Sequence, residues 1–282
     1  RSWWPCKDDP SDKADSVNIK VSVPSQPEFI VASNGLLEST EVNGDKRTFF
    51  WKERYPITTY LVSLAIYPYT IWSEQYISPI SNDTMAIEHY VFPDRYESSY
   101  PNYSLTGEML SFFSNLFGEY PFISEKYGHA DFKWGGGMEH QTLSSMGSFS
   151  QNLIVHELGH SWWGNLITCK TFNDIWLNEG FARYCQALWV ENIDGKQAYF
   201  NFMNDHAYYG GGTIYVENPS SNSQIFNSSL SYNKASWVLH MLRHKVGDEM
   251  FFEILKEYAS NDSLAYNAAS TADFQKVCED IS

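Results

Sequence analysis

Leu153-Ile154-Val155-His156-Glu157-Leu158-Gly159-His160 is the stretch from which the rest of the chain can be read. Its pattern predicts a helix with two histidines four residues apart. Four residues at about 100° each return the second imidazole to the face of the first, about 6 Å further along the axis. Two imidazole nitrogens at that separation can share one zinc ion. Glu157 lies between them, beside the metal position rather than on it. This is the His-Glu-x-x-His signature, whose Glu acts as general base toward a metal-activated water.

A third ligand candidate lies downstream in Trp176-Leu177-Asn178-Glu179-Gly180-Phe181-Ala182. Glu179 follows His160 by nineteen residues, room for the end of one helix, a connection and the start of a second. Two His and one Glu leave the fourth tetrahedral position open, which separates a catalytic zinc site from a structural one.

With 282 residues the chain is long enough for one large domain or two smaller ones, and 17% aromatic residues promise a sizeable core. A formal net charge of −15 argues against a nucleic-acid partner, which calls for a basic surface. The charge suits a cationic ligand such as a peptide amino terminus, and equally serves solubility. No apolar run in the given sequence is long enough to cross a bilayer, and the lack of a targeting segment is uninformative in a chain that opens at Arg1. Cys6, Cys169, Cys185 and Cys278 form no Cys-x-x-Cys pair and read as buried free thiols rather than a disulfide framework. Sequons at Asn82, Asn102, Asn227 and Asn261 would matter in a eukaryotic secretory route and lean the compartment toward a secreted or extracytoplasmic one.

Residues 1–73 read as β-structure. Val17 to Val23 alternates apolar and polar with period two, and Phe29 to Ala32 and Tyr60 to Ile66 are further strands. Asn43-Gly44-Asp45 predicts a hairpin ending in Phe49-Phe50-Trp51. Beyond Gln75, Ala86 to Phe92 is strand-like and Leu105 to Gly118 has helical periodicity. Helices are expected over about 151–165, 174–192, 195–207, 231–246, 248–260 and 271–282, with a long loop from Tyr208 to Ser229. A loop of that length inside a compact domain is often functional. The chain opens at Arg1 inside structured-looking sequence and closes within a helix, so an internal piece of a longer protein is expected.

Together, Gly136-Gly137-Met138-Glu139-His140, His156-Glu157-Leu158-Gly159-His160 and Asn178-Glu179-Gly180-Phe181-Ala182 resemble the aminopeptidase N family of zinc exopeptidases, relatives of leukotriene hydrolase. Trp3-Trp4-Pro5-Cys6-Lys7-Asp8-Asp9-Pro10 is similar to the family's stretch near the end of its amino-terminal β-domain. Tyr232-Asn233-Lys234-Ala235 resembles its Tyr-x-Lys-Gly motif. The resemblance covers nearly the whole chain in the expected order.

It implies one Zn2+ per chain on His156, His160 and Glu179, with Glu157 as general base. It implies that Tyr232 donates to the oxyanion of the tetrahedral intermediate. Gly136, Gly137 and Met138 would line the substrate as an added strand, and Glu139 would bind its free α-ammonium group. The implied fold is α+β, a partial all-β amino-terminal domain (1–73) before a thermolysin-like catalytic domain (74–282). The implied function is hydrolysis of the amino-terminal residue from peptides. Two rival functions are a non-catalytic zinc-containing binding module and a zinc hydrolase of a non-peptide substrate such as an epoxide. The chain departs from the family at His140, where Asn is usual, and at Ala235, where Gly is usual. A protonated His140 would add a charge beside the substrate amine.

Overall fold

A computed structural model describes residues 3–282 and contains both sheets and helices. The chain divides into two compact units, and the division falls inside one helix, between Glu157 and Leu158, so that helix belongs to both.

The first unit begins with β1 (Val17–Pro24), β2 (Ile30–Ser33), β3 (Leu36–Asn43) and β4 (Lys46–Glu53). β4 lies between β1 and β3, antiparallel to both, and the β3–β4 hairpin turns at Gly44-Asp45 as the Asn-Gly-Asp signal predicts. Val23, Val31, Ala32, Phe49 and Trp51 form the core beneath these strands. The strand expected over Tyr60 to Ile66 is instead a 3-10 turn, Thr59–Leu61, followed by β5 (Leu64–Tyr67), which pairs with β2. The reason is tertiary. The Leu61 carbonyl accepts from the Asn34 side chain and from the Gln141 amide rather than from a strand partner.

β6 (Thr70–Ile77), β7 (Thr84–Val91), β8 (Lys126–Asp131), β9 (Gly137–Met138) and β10 (Ser144–Met146) make a five-stranded mixed sheet in the order β6-β7-β8-β10-β9. β8 is parallel to both β7 and β10, and all six of its residues are buried. α1 (Tyr96–Tyr103) and α2 (Thr106–Phe117) connect β7 to β8. Buried Met109, Leu110, Phe113 and Phe117 mark α2's inner face. β9 is an edge strand, and α3 (Gln151–Gly159) follows β10.

The second unit is mainly helical. It contains β11 (Ile167–Cys169), α4 (Trp176–Asp205), α5 (Asn222–Ile225), α6 (Ala235–Val246), α7 (Asp248–Ser260), β12 (Asn267–Ala269) and α8 (Thr271–Ile281). The two helices expected over 174–207 run together as α4, with a break at Gly195, whose φ of 82° is outside the helical region. α5 is one turn inside the stretch expected as loop. A π-helical turn over Ser228–Lys234 leads into α6 and packs on α4. The core is aromatic: Trp163 stacks on Tyr258 at 5.6 Å, and Phe181 meets Trp163, Trp176 and Phe274. Ser270 closes a capping box with Asp273 at the start of α8. All four cysteines are free; Cys169 and Cys185 are buried, while Cys6 and Cys278 are half-buried.

Candidate active site

α3 carries both motif histidines' segment but ends at Gly159, so His160 sits in the turn that follows. A carbon at Gly159 would meet Cys185 Sγ at 2.9 Å, so the missing side chain is what lets this turn lie on α4. The Cys169 amide donates to Asn178 Oδ1, and Glu179 occupies the first turn of α4. His160 Nε2 lies 3.3 Å from Glu179 Oε2.

The other nitrogen of that ring, Nδ1, is 2.9 Å from the Trp163 carbonyl. A carbonyl can only accept, so Nδ1 carries the proton and, in the neutral ring, Nε2 points its lone pair at the carboxylate. Two electron-rich atoms brought face to face call for a cation between them. One atom each of His156, His160 and Glu179 lie within 4.8 Å of one another, and two imidazoles with one carboxylate are a donor set suited to zinc.

Glu157 follows His156 on α3, and the carboxylates of Glu139 and Glu157 are both buried. Gly137 on β9 explains part of the arrangement. A side-chain carbon there would fall 2.3 Å from Glu157 Oε1, so any other residue would require the Glu157 side chain to shift. Gly136 has φ of 79° and open space around it, which makes it a requirement of backbone shape rather than of room.

His140 is half-buried, with Nδ1 2.9 Å from Ser145 Oγ, and burial pushes its pKa down to about 4. It is neutral at neutral pH and adds no charge beside Glu139. Tyr232 is on the π-helical turn, a rare conformation that recurs at functional sites. Arg183, one turn after Glu179 on α4, lies 6.0 Å from the Tyr232 ring centre. The turn is fixed by the Asn227 side chain, which accepts from the Ser229 and Leu230 amides, and by Lys234, whose ammonium donates to the Gly212 carbonyl. Sequence reasoning did not find Gly159, the Trp163 carbonyl, Asn178 or Arg183 as parts of the site; Asn178 and Gly159 lay inside quoted motifs, whereas Arg183 carried no signal.

The peptidase family M1 domain matches residues 137–282, just over half of the chain. The chain belongs to peptidase family M1. Among curated M1 relatives it is 26% identical over 311 residues to aminopeptidase M1-C of Oryza sativa subsp. japonica, covering 100% of this chain and 34% of that protein. It is 28% identical over 308 residues to glutamyl aminopeptidase of Rattus norvegicus, covering 97% and 31%. Among solved structures, the M1 zinc metallopeptidase from Deinococcus radiodurans superposes with a TM-score of 0.83 at 25% identity, covering 99% of this chain and 63% of that one. A mutant of the Deinococcus protein bound to a Tyr-ser-ala substrate matches with a TM-score of 0.82 at 25% identity, covering the same 99% and 63%. This M1 chain therefore spans about a third of the length of those curated relatives and under two thirds of the solved ones.

Proposed function

We propose that the protein is a zinc-dependent aminopeptidase that removes the first residue of peptides bearing a free amino terminus. The observation that carries this reading is the convergence of His156, His160 and Glu179 within 4.8 Å, with the buried carboxylate of Glu157 next to His156 on α3. His156, His160 and Glu179 would hold the zinc, which when bound supplies Lewis acidity toward the scissile carbonyl. Glu157 takes a proton from the attacking water and returns one to the leaving amine. Tyr232 donates its phenol proton in a hydrogen bond to the developing oxyanion. Glu139 accepts the substrate ammonium, and the Gly136-Gly137-Met138 edge runs along the peptide backbone as an added strand. The tripeptide in the Deinococcus relative supports a peptide substrate.

The same reading takes 1–73 as part of a β-domain and 74–282 as a thermolysin-like catalytic domain. Its test pairs metal analysis with an aminoacyl-arylamide panel, each substrate supplied free and N-acetylated. About one zinc per chain, with acetylated substrates cleaved only at a residual rate far below that of free ones, is the expected outcome. Equal cleavage of acetylated and free substrates removes the aminopeptidase and leaves a zinc hydrolase.

A further inference from the structure

We propose that Glu53, acting through Thr142, is a positioning residue for the turn that carries Glu139, and so helps set selectivity for a free amino terminus. The proposal rests on Glu139 as the ammonium acceptor. Thr142 follows Glu139 by three residues and has φ of 62°. Left-handed backbone at a β-branched residue is a genuine outlier and persists only where the surroundings hold it.

Those surroundings come from the β-strands at the start of the chain. The Gly35 amide donates to Thr142 Oγ1 at 2.8 Å, and that hydroxyl stands 3.2 Å from Glu53 Oε2. Gly35 is itself fixed as glycine, because a carbon there would lie 2.0 Å from the Lys52 carbonyl oxygen. Asn34 donates through Nδ2 to the Gln141 carbonyl at 2.5 Å, and its Oδ1 accepts from the Ser63 amide. The Lys126 ammonium donates to the carbonyls of Thr142 and Ser33. Four independent partners thus converge on two residues, Gln141 and Thr142, just beyond Glu139.

Glu53 is the one ionisable acid among them, and it is fully buried at the end of β4 beside the buried Glu125. Burial first, and the neighbouring carboxyl second, push its pKa well above the usual carboxylate range. Its contribution to the turn is the hydrogen bond with Thr142. A misplacement of about 1 Å in a positioned group can change rates about a hundredfold, which gives a distant clamp of this kind its leverage.

The experiment compares KM and kcat on free and N-acetylated arylamides for the full chain and four variants. Glu53→Gln and Thr142→Ser keep the shape and the hydrogen bond and are expected to behave as wild type. Glu53→Leu and Thr142→Val remove it. For these, KM on the free substrate is expected to rise about ten- to a hundredfold with kcat within about threefold, while the acetylated substrate is unaffected, so the selectivity ratio falls. Folded Leu and Val variants that keep the wild-type ratio overturn the proposal, as do variants that lose kcat on both substrates alike. If neither variant folds, the clamp is a folding element alone and the proposal falls. Absence of any free-amine preference in wild type instead overturns the aminopeptidase reading on which this one stands.

Discussion

Two pairs of histidines in this molecule have opposite surroundings. His156 on α3 and His160 in the turn just after it meet a carboxylate, Glu179. His89 and His129 are register partners on the parallel strands β7 and β8, and their Nδ1 atoms are 3.1 Å apart. One of those nitrogens must donate and the other accept, and burial favours the neutral form of both rings, so their tautomers are opposite. Trp72 stacks on His89 at 3.9 Å and Tyr103 stacks on His129 at 4.5 Å, while both Nε2 atoms are buried without a hydrogen-bond partner. What a histidine does is set by what its ring nitrogens face, a carboxylate in one pair and another imidazole in the other, not by how deeply it is buried.

The largest effects should separate the pairs by metal. His160→Ala is expected to lose most of the bound zinc, and His129→Phe to leave it in place. Glu157→Gln keeps the three ligands and removes the base, so turnover should fall by about a thousandfold or more with zinc content unchanged. Wild-type-like turnover in Glu157→Gln sinks the assigned mechanism. Metal analysis and arylamide kinetics on the same preparations read both.

The tyrosines repeat the contrast with a smaller effect. Tyr103 lies stacked among the buried histidines with its hydroxyl 3.0 Å from Asp131 Oδ1, whereas Tyr232 rides the π-helical turn under Arg183. Tyr232→Phe is expected to lower kcat about a hundredfold with KM little changed. Tyr103→Phe should lower the urea midpoint and leave kcat alone. An unchanged kcat in Tyr232→Phe would move the oxyanion role to another side chain.

These contrasts also show how far sequence could reach. The spacing of His156 and His160 was legible because a helical turn fixes the angle between residues four apart, whereas Glu179, on α4, was legible only through its distance along the chain and the motif around it. The histidines of β7 and β8 were not. β8 is buried on both faces yet holds Lys126, His129 and Asp131, so neither alternation nor an apolar run marks it as a strand. The role of Gly137 was read as room for substrate, and the structure adds room for Glu157. Thr142 could not be read at all, because its backbone is set by residues more than a hundred positions away at Asn34 and Gly35.

The buried pair gives a third prediction, in stability rather than rate. Burial lowers the His129 pKa from 6.5 to about 3 and pushes His89 well below its usual value. The unfolded chain then binds more protons than the folded one between pH 6.5 and about 3. Stability contributed by the neutral rings is present above the unfolded pKa and is lost as pH falls through that window, by about 1.4 kcal/mol per pH unit per histidine. Urea midpoints measured from pH 7 to pH 4 should drop more steeply in wild type than in the double variant His89→Phe, His129→Phe. Parallel slopes would mean that the rings already carry charge when folded.

The smallest effect is expected at His140, which stands between the two kinds of environment: next to the acid Glu139 in sequence, yet hydrogen-bonded to neutral Ser145. If proximity to Glu139 governed it, its pKa would rise and a positive charge would repel the substrate amine near neutral pH. Burial governs instead and brings the pKa down to about 4, so the neutral ring contributes no titration between pH 6 and 8. His140→Asn should therefore change kcat/KM on free-amine substrates by less than about threefold, within the range of a lost neutral hydrogen bond. The pH profile above pH 6 should keep its shape. A limb that rises with pH in wild type and flattens in His140→Asn would show a charged ring, and would place His140 with His156 and His160 among the histidines that answer to acids rather than with His89 and His129.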